Sequence, residues 1–197
     1  YKGTYPEDGR ELFRADAPVV GPDDMRIIAE PTDFLGANIY KMDTVCADPN
    51  ALSGFVQVEH PAQGRRNALG WPVTPEALYW GPKFLYERYG LPIYITENGT
   101  CLKDPPEVEG CINDSVRVEF LRDYLLALGR TIEDGTDVRG YFHWSLMDNF
   151  EWAQGYSARF GLVHVDFATQ KRTHKDSARF YGEIIRAGRV PAGLSQA

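Results

Sequence analysis

Residues 92–99 read PIYITENG, and this stretch decides the fold of the chain. Its first four residues are apolar, β-branched or aromatic, which indicates a buried strand. A carboxylate, an amide and a glycine follow, so the strand delivers Glu97 to its C-terminal end. Taken alone, Glu97 is either a solvated loop acid or a catalytic group. The other motifs of the chain bear on that choice.

A second stretch of this kind, residues 143–152, reads HWSLMDNFEW. It continues another apolar strand and supplies two indole rings and a second glutamate. Aromatic planes beside carboxylates are what a sugar site requires. This stretch therefore favours the catalytic interpretation of Glu97.

The composition is that of a globular protein with a net charge of -7 and no basic run. That charge argues against nucleic acid and anionic membranes as partners. No apolar run approaches the roughly 20 residues of a membrane span, and the N-terminus lacks a signal-peptide pattern. We therefore expect a soluble, cytoplasmic chain that binds neither nucleic acid nor membrane.

The three cysteines lack CxxC spacing, so neither a zinc site nor a disulfide framework is indicated. Reduced thiols are expected, with a Cys101 to Cys111 bridge as the alternative. His143, His164 and Asp166 are the available metal-ligand types, but His143 is far along the chain from the other two. We therefore expect no metal and no organic cofactor.

Three predicted strands alternate with three predicted helices. The strands cover residues 33–40, 92–96 and 139–146, and the helices cover about 75–89, 115–134 and 176–187. Alternation of this kind predicts right-handed crossovers and a parallel sheet. Residues 160–167 are predicted to form one arm of a short hairpin, and the opening up to Pro31 is a connection with one short helix at 23–29.

Local signals mark the helix ends. Thr74 is expected to cap the first long helix, with Pro75 in its first turn and Gly90 as its terminator. Asp114 or Ser115 is expected to cap the second, and Gly135 to end it. The apolar stripe of that second helix consists of Val116, Phe120, Tyr124, Leu128 and Ile132.

Two regions contain residues with open roles. Asn38 and Tyr40 lie two apart on one strand and share a face, either pointing into one site or serving as a turn residue and a core aromatic. Residues 44–72 are predicted to be irregular, and long loops are usually functional or mobile. Trp71 at the end of that loop is a substrate platform or a lid anchor.

Three parallel strands are too few to close a barrel, and an open three-stranded sheet exposes two edges. We therefore expect one of two arrangements. Either residues 1–197 form the C-terminal portion of a single (β/α)8 TIM-barrel domain, or the chain pairs with another chain that carries the remaining strands.

These motifs resemble those of glycoside hydrolase family 1, the β-glucosidases. The motifs are residues 33–40 (DFLGANIY), 95–99 (ITENG), 144–152 (WSLMDNFEW), 159–162 (RFGL) and 171–173 (KRT). The resemblance covers essentially the whole chain and matches the sixth to eighth strands of the family's barrel. It implies that the N-terminal strands are absent from this chain, together with the Asn-Glu-Pro motif that bears the family's acid/base. The expected partner is that missing N-terminal barrel segment, as a second chain or fragment.

The resemblance also implies residue roles. Glu97 is the expected nucleophile, and Tyr40 donates a hydrogen bond that orients it. The other expected substrate-binding residues are Asn38 beside the pocket, Trp144 under the sugar ring, Glu151 and Trp152 on its hydroxyls, Phe160 near its primary alcohol and Trp71 near the aglycone entrance.

The expected function is that of a retaining glycoside hydrolase, a β-glucosidase acting on small β-glycosides by double displacement. One alternative is a 6-phospho-β-glucosidase, but Glu151 would repel a phosphate. Ala158 and Phe160 also stand where that subgroup carries lysine and tyrosine. The other alternative is a barrel fragment that binds sugar without hydrolysing it, which the absence of Asn-Glu-Pro favours.

Overall fold

A computed structural model describes residues 1–59 and 64–191 of the chain. The helices and strands occur in the order α1 (Glu7–Phe13), α2 (Asp24–Ile28), β1 (Leu35–Asn38), β2 (Thr44–Ala47), β3 (Phe55–Val58), α3 (Ala77–Tyr89), β4 (Ile93–Asn98), α4 (Ser115–Glu133), β5 (Val138–His143), β6 (Val163–Val165), β7 (Arg172–His174) and α5 (Asp176–Ala187). The predicted alternation of three strands with three long helices is confirmed.

The central sheet has the strand order β1-β4-β5, and both pairs are parallel, as predicted. The strand that carries Glu97 is therefore the middle one. In the described part of the chain, no strand pairs with the outer edge of β1 or of β5. Both sheet edges are consequently open, as expected for three strands of a larger barrel.

The helices cover only one face of this sheet. The core cluster on that face consists of Leu35, Ala37, Leu78, Ile93, Ile95, Phe120, Tyr124 and Leu128. On the opposite face, Phe34 and Phe142 are 49% and 57% exposed. Asn38 and Thr96 are exposed there too. A parallel sheet is normally covered on both faces. Within residues 1–59 and 64–191, nothing forms a covering layer on this second face.

The apolar stripe of α4 is buried in its middle and exposed at its ends. Phe120, Tyr124 and Leu128 are buried, but Val116 and Ile132 are 50% and 46% exposed. A spacing of four residues drifts by about 40° per step around a helix with about 3.6 residues per turn, so other residues are the buried ones near both helix ends. The prediction of the stripe is thus right for its three central residues only.

The predicted side-chain caps are wrong, although the helix positions are right. The hydroxyl of Thr74 accepts a hydrogen bond from the backbone of Met42 at 2.8 Å, and α3 begins at Ala77. Asp114 precedes α4 but makes no capping bond; its carboxylate binds Arg117 and Ser177 instead. The side-chain oxygens of Thr74 and Asp114 therefore accept hydrogen bonds from residues that are distant in the sequence. Gly90 does end α3, with a φ of 65°.

The prediction of an irregular stretch over residues 44–72 is wrong in part. β2 and β3 form an antiparallel hairpin within it, and residues 60–63 lie outside the described residues. Each strand has four residues and is mostly exposed, so neither shows an apolar alternation long enough to identify it. In the opening segment, α2 matches the predicted short helix, whereas α1 was not predicted and buries no residue.

The C-terminal part packs around a second, smaller core. β6 and β7 form the expected antiparallel hairpin. Val118, Leu121, Leu162 and Phe180 join this region to α4 and α5. All three cysteines are free thiols, so the alternative Cys101 to Cys111 bridge is not formed. None of the helices within residues 1–59 and 64–191 is both long and apolar enough to cross a membrane.

Candidate active site

Glu97 is the penultimate residue of β4 and is half-buried at the carboxyl end of the sheet. It lies opposite Asn38, and its carbonyl accepts a hydrogen bond from the Ile39 amide at 2.9 Å. The register shifts between Ala37 and Asn38, and again between Ile95 and Asn98. Irregularities of this kind re-aim side chains at strand ends. Around Glu97, the pairing of β4 with β1 and β5 therefore departs from the regular register of the preceding residues.

Asn98 anchors this strand end from within. It is fully buried, and its side chain donates to the Ile39 carbonyl and accepts from the Tyr141 hydroxyl, both at 2.8 Å. Its carbonyl also accepts from the Trp144 amide at 2.9 Å. The amide thus ties β1, β4 and β5 together beside Glu97. The sequence did not predict that Asn98 anchors the strand end, because an amide after a strand is equally typical of a turn.

Tyr40 reaches Glu97 from the loop after β1. Its hydroxyl donates a hydrogen bond of 2.7 Å to Oε2 of Glu97. Burial and the Glu97 carboxylate raise the pKa of Tyr40 well above its usual range. The hydroxyl therefore keeps its proton and remains a donor. A short hydrogen bond to one carboxylate oxygen fixes the orientation of the carboxylate.

Aromatic side chains form a wall beside this pair. The ring of Trp71 lies 5.7 Å from that of Tyr40 and 6.3 Å from that of Phe160, measured between centroids. Cys101 and Ala158 pack in the same apolar cluster. Trp71, for which the sequence left two roles open, thus lies against the predicted site residues. This wall shields one side of the Tyr40–Glu97 pair from water.

The loop after β5 supplies an indole and a second carboxylate. The Trp144 side chain donates a hydrogen bond of 3.3 Å to Oε2 of Glu151. Gly99 lets the backbone of Trp144 lie close to the end of β4, because a Cβ there would lie 1.8 Å from the Trp144 carbonyl oxygen. Trp144 also joins the apolar cluster that includes Tyr40 and Phe160. The indole–carboxylate pair therefore lies beside the end of β4.

Two other predicted site residues lie towards solvent. Trp152 is 81% exposed. Asn38 lies on the open face of the sheet and accepts a hydrogen bond of 2.7 Å from the Thr96 hydroxyl. The structure thus brings Glu97, Tyr40, Trp71, Trp144, Glu151 and Phe160 together. Trp152 lies towards solvent, and Asn38 is exposed but lies directly opposite Glu97.

A charged cluster lies beneath the loop after β5. Three acidic and three basic side chains make it up: Asp104, Asp114, Asp148, Arg117, Arg159 and Lys175. The sequence predicted a cap role for Asp114 and no joint role for the six residues, because they lie up to 71 positions apart and no local pattern joins them.

This cluster also contains the one grouping of metal-ligand types found among the described residues. Ligand atoms of Asp104, Asp148 and His164 lie within 4.8 Å of one another. The ammonium of Lys175, however, lies 2.6 Å from Asp104 and 3.0 Å from Asp148. It already supplies the positive charge that a metal ion would bring. Asp104, Asp148 and His164 therefore belong to an ion-pair cluster and do not fit a metal centre.

The geometry as a whole suits a sugar. An oriented carboxylate, an aromatic wall and an indole bonded to a second carboxylate surround the carboxyl end of a parallel sheet, which is where catalytic groups of barrel enzymes lie. Carboxylates bind hydroxyl groups, and aromatic faces pack against sugar rings. The arrangement can therefore hold a polyhydroxylated ring beside a nucleophilic oxygen.

Comparison with known proteins gives one consistent result. The chain matches the model of glycosyl hydrolase family 1 over residues 1–189. It is 41% identical to β-glucosidase A of Thermotoga maritima over 189 residues, which cover 94% of this chain and 42% of that protein. It is 43% identical to a β-glucosidase of Agrobacterium sp. over 192 residues, covering 93% of this chain and 40% of that protein.

The fold agrees with solved structures of this group. A β-glucosidase from Thermotoga maritima in complex with deoxynojirimycin superposes with a TM-score of 0.89 at 40% identity. The superposition covers 97% of this chain and 43% of that structure. The chain therefore spans about two fifths of the length of the relatives that it matches.

Proposed function

The chain belongs to glycosyl hydrolase family 1, and from this premise we propose that it supplies the nucleophile half of a retaining β-glycosidase site. The proposed substrates are small β-glucosides or related β-glycosides. The observation that carries the proposal is the 2.7 Å hydrogen bond from Tyr40 to Glu97 at the end of the central strand. The β-glucosidase names of the relatives support the substrate class.

In this proposal Glu97 attacks the anomeric carbon and forms a covalent glycosyl-enzyme, which water then hydrolyses. The hydrogen bond from Tyr40 holds Oε2, so Oε1 is the oxygen that attacks. Retention requires a protonated partner about 5 to 5.5 Å away that gives its proton to the leaving oxygen and later takes one from water. No Asn-Glu-Pro motif occurs in the 197 residues.

We therefore assign the acid/base to strands that complete the open sheet, on the same polypeptide or on a second one. β1, β4 and β5 then take the positions of the sixth, seventh and eighth barrel strands. The two unpaired edges and the uncovered face of the sheet support this assignment. We call this chain together with those strands the assembled protein.

The sugar contacts follow from the site. The indole of Trp144 lies under the ring, and Glu151, oriented by its bond to that indole, accepts hydrogen bonds from the 4- and 6-hydroxyls. Trp152 adds a contact from the exposed side, and Asn38 one from the open face of the sheet. Phe160 lines the apolar wall near the primary alcohol of the sugar, and Trp71 lines it towards the leaving group.

The 6-phosphate alternative is not favoured. Ala158 and Phe160 are 4% and 2% exposed, apolar and packed against Cys101, so they offer a phosphate no positive charge. Glu151 adds a negative charge at the place where the phosphate would lie. Like charges in a partly desolvated pocket repel strongly.

The test is Glu97→Gly in the assembled protein. The change removes the attacking oxygen but leaves Trp144 and Glu151 in place, so sugar binding should persist while hydrolysis falls by several orders of magnitude. Azide should then restore cleavage of an activated aryl β-glucoside and give the α-glycosyl azide. The matched control is Glu109→Gly, because Glu109 is exposed and has a φ of 50° that suits glycine.

Two outcomes would overturn the assignment of Glu97: near-normal turnover of Glu97→Gly, or labelling of another residue by a 2-fluoroglucosyl inactivator. A wild-type assembled protein that binds glucosides but cleaves none would instead support the non-catalytic sugar-binding alternative.

A further inference from the structure

The carboxylate of Asp148 holds the loop after β5 at its base. It accepts hydrogen bonds from the Gly161 amide at 3.0 Å, the Val165 amide at 3.3 Å and the Arg159 guanidinium at 2.7 Å. The ammonium of Lys175 donates to it as well, at 3.0 Å. Four donors from two later segments thus converge on one buried side chain.

Asp148 lies between the two residues that contact the sugar in the proposed function. It follows Trp144 by four positions and precedes Glu151 by three. The loop and the segment behind it touch so closely that a Cβ on Gly161 would lie 2.2 Å from the Asp148 amide nitrogen. A shift of Asp148 would therefore be passed to the Trp144–Glu151 pair.

Lys175 holds Asp148 from below. Its side chain is fully buried, and its ammonium bridges Asp148 and Asp104. Burial lowers the pKa of Lys175, and the nearby charge of Arg117 acts in the same direction, while the two carboxylates oppose both. Burial opposes the ionisation of Asp148, but Lys175 and Arg159 outweigh it and lower the pKa of that carboxyl. Removing the ammonium would leave two buried carboxylates with less compensation.

The nucleophile is held by a different set of contacts. Glu97 is oriented by Tyr40 and by the backbone of Ile39, both from the β1 side. Within the described residues, no hydrogen bond joins Asp148 or Lys175 to Glu97 or Tyr40. The restraint on the sugar-contacting loop can therefore change without a direct change at the attacking oxygen.

We propose that Lys175 is a positioning residue for sugar selectivity, acting through Asp148 on the loop that carries Trp144 and Glu151. This inference rests on the proposed function. Lys175 touches neither substrate nor nucleophile. It sets how well Glu151 meets the 4- and 6-hydroxyls, and hence how strongly a glucoside is preferred over a sugar that lacks or inverts them.

The experiment compares Lys175→Met with wild type in the assembled protein, using the same aryl leaving group on β-glucose, β-galactose and β-xylose. Galactose inverts the 4-hydroxyl, and xylose lacks the 6-hydroxymethyl group. We expect the glucoside-to-xyloside ratio of kcat/KM to fall about tenfold, which corresponds to one well-placed hydrogen bond. The change should lie mainly in KM for the glucoside, with kcat for the xyloside within about threefold of wild type.

The control is Ser177→Ala. Ser177 lies in the first turn of α5, the helix that Lys175 directly precedes, and donates a buried hydrogen bond of 2.6 Å to Asp114. Loss of this hydrogen bond destabilises the fold nearby without touching Asp148. The selectivity ratio of Ser177→Ala should equal that of wild type.

Asp148→Asn, which keeps the side-chain shape, is the second test variant and should lower selectivity as Lys175→Met does.

A folded Lys175→Met or Asp148→Asn with unchanged selectivity overturns the inference. So does an equal loss of selectivity in Ser177→Ala, because general destabilisation would then explain the effect. If Lys175→Met does not fold, Asp148→Asn decides alone. A wild-type protein without glycosidase activity would contradict the proposed function instead, which separates the two failures.

Discussion

At the scale of single residues, the site depends on one hydrogen bond whose donor cannot ionise near neutral pH. Tyr40 is held between the aromatic wall and the Glu97 carboxylate. Its raised pKa keeps the proton on the hydroxyl near neutral pH. The tyrosine is therefore a fixed donor to the carboxylate of Glu97, the proposed nucleophile.

Tyr40→Phe tests this role. The change removes a hydrogen bond to a charged group, worth about 1.5–3 kcal/mol, so kcat/KM of the assembled protein should fall about 10- to 150-fold. The ring of phenylalanine preserves the contacts with Trp71. Steady-state kinetics on an aryl β-glucoside give the loss, and Tyr156→Phe, at an exposed tyrosine, is the control. A change of less than threefold would mean that Glu97 is oriented by other groups.

A second residue-scale prediction concerns His143. Burial lowers the pKa of His143 to about 3, and the charge of Arg117 acts in the same direction. An unfolded histidine titrates near 6.5, so between pH 3 and 6.5 the unfolded state binds the extra proton. Stability should therefore fall as pH drops through this window, by up to about 1.4 kcal/mol per pH unit from this residue.

His143→Leu should remove that part of the pH dependence. Urea unfolding of the assembled protein at pH 7 and at pH 5 gives the two free energies of unfolding. The difference between them should be smaller in the variant than in wild type. A difference of the same size in both proteins would show that His143 does not contribute to acid sensitivity.

At the scale of elements, one hydroxyl on α4 connects the helix layer to the site. The Tyr124 hydroxyl accepts from the Thr74 amide at 2.8 Å and donates to the Tyr40 carbonyl at 3.0 Å. It therefore joins the start of α3 to the residue that orients Glu97. The ring itself is fully buried in the main core.

Tyr124→Phe should destabilise the assembled protein by about 1–3 kcal/mol, because it leaves a buried amide and a part-buried carbonyl without a partner. The control is Tyr181→Phe, which removes only one hydrogen bond, of 3.1 Å to the Tyr141 carbonyl. Its cost should be smaller. Denaturant midpoints at equal m-values compare the two variants. An equal or smaller loss for Tyr124→Phe would contradict the bridging role.

At the scale of the whole molecule, the part of the chain that the structure describes leaves the sheet with two open edges and one uncovered face. Unpaired strand edges and exposed Phe34 and Phe142 invite pairing with other chains. The 197 residues alone should therefore aggregate or melt without cooperativity, and adding the complementary barrel strands should restore a cooperative transition. Calorimetry with light scattering measures both. A sharp, reversible, two-state melt of the isolated monomer would refute this prediction.

Much of this architecture followed from local pattern. The apolar run before Glu97, the four-residue spacing in α4 and the glycine after α3 are properties of neighbouring residues, because burial and backbone conformation act over one or two turns. They predicted the parallel order of strands and helices. The motif around Glu97 likewise identified the family, and with it the candidate nucleophile.

The tertiary structure alone decided which distant groups meet. Thr74 and Asp114 looked like helix caps, but Met42 and Ser177 take their oxygens. Asn98 joins the end of β4 to the end of β1, and charged side chains between Asp104 and Lys175 in the sequence lie together beneath the loop after β5. A polar side chain satisfies its hydrogen bonds with whatever the fold brings near it, and a single sequence does not encode that partner in any local pattern.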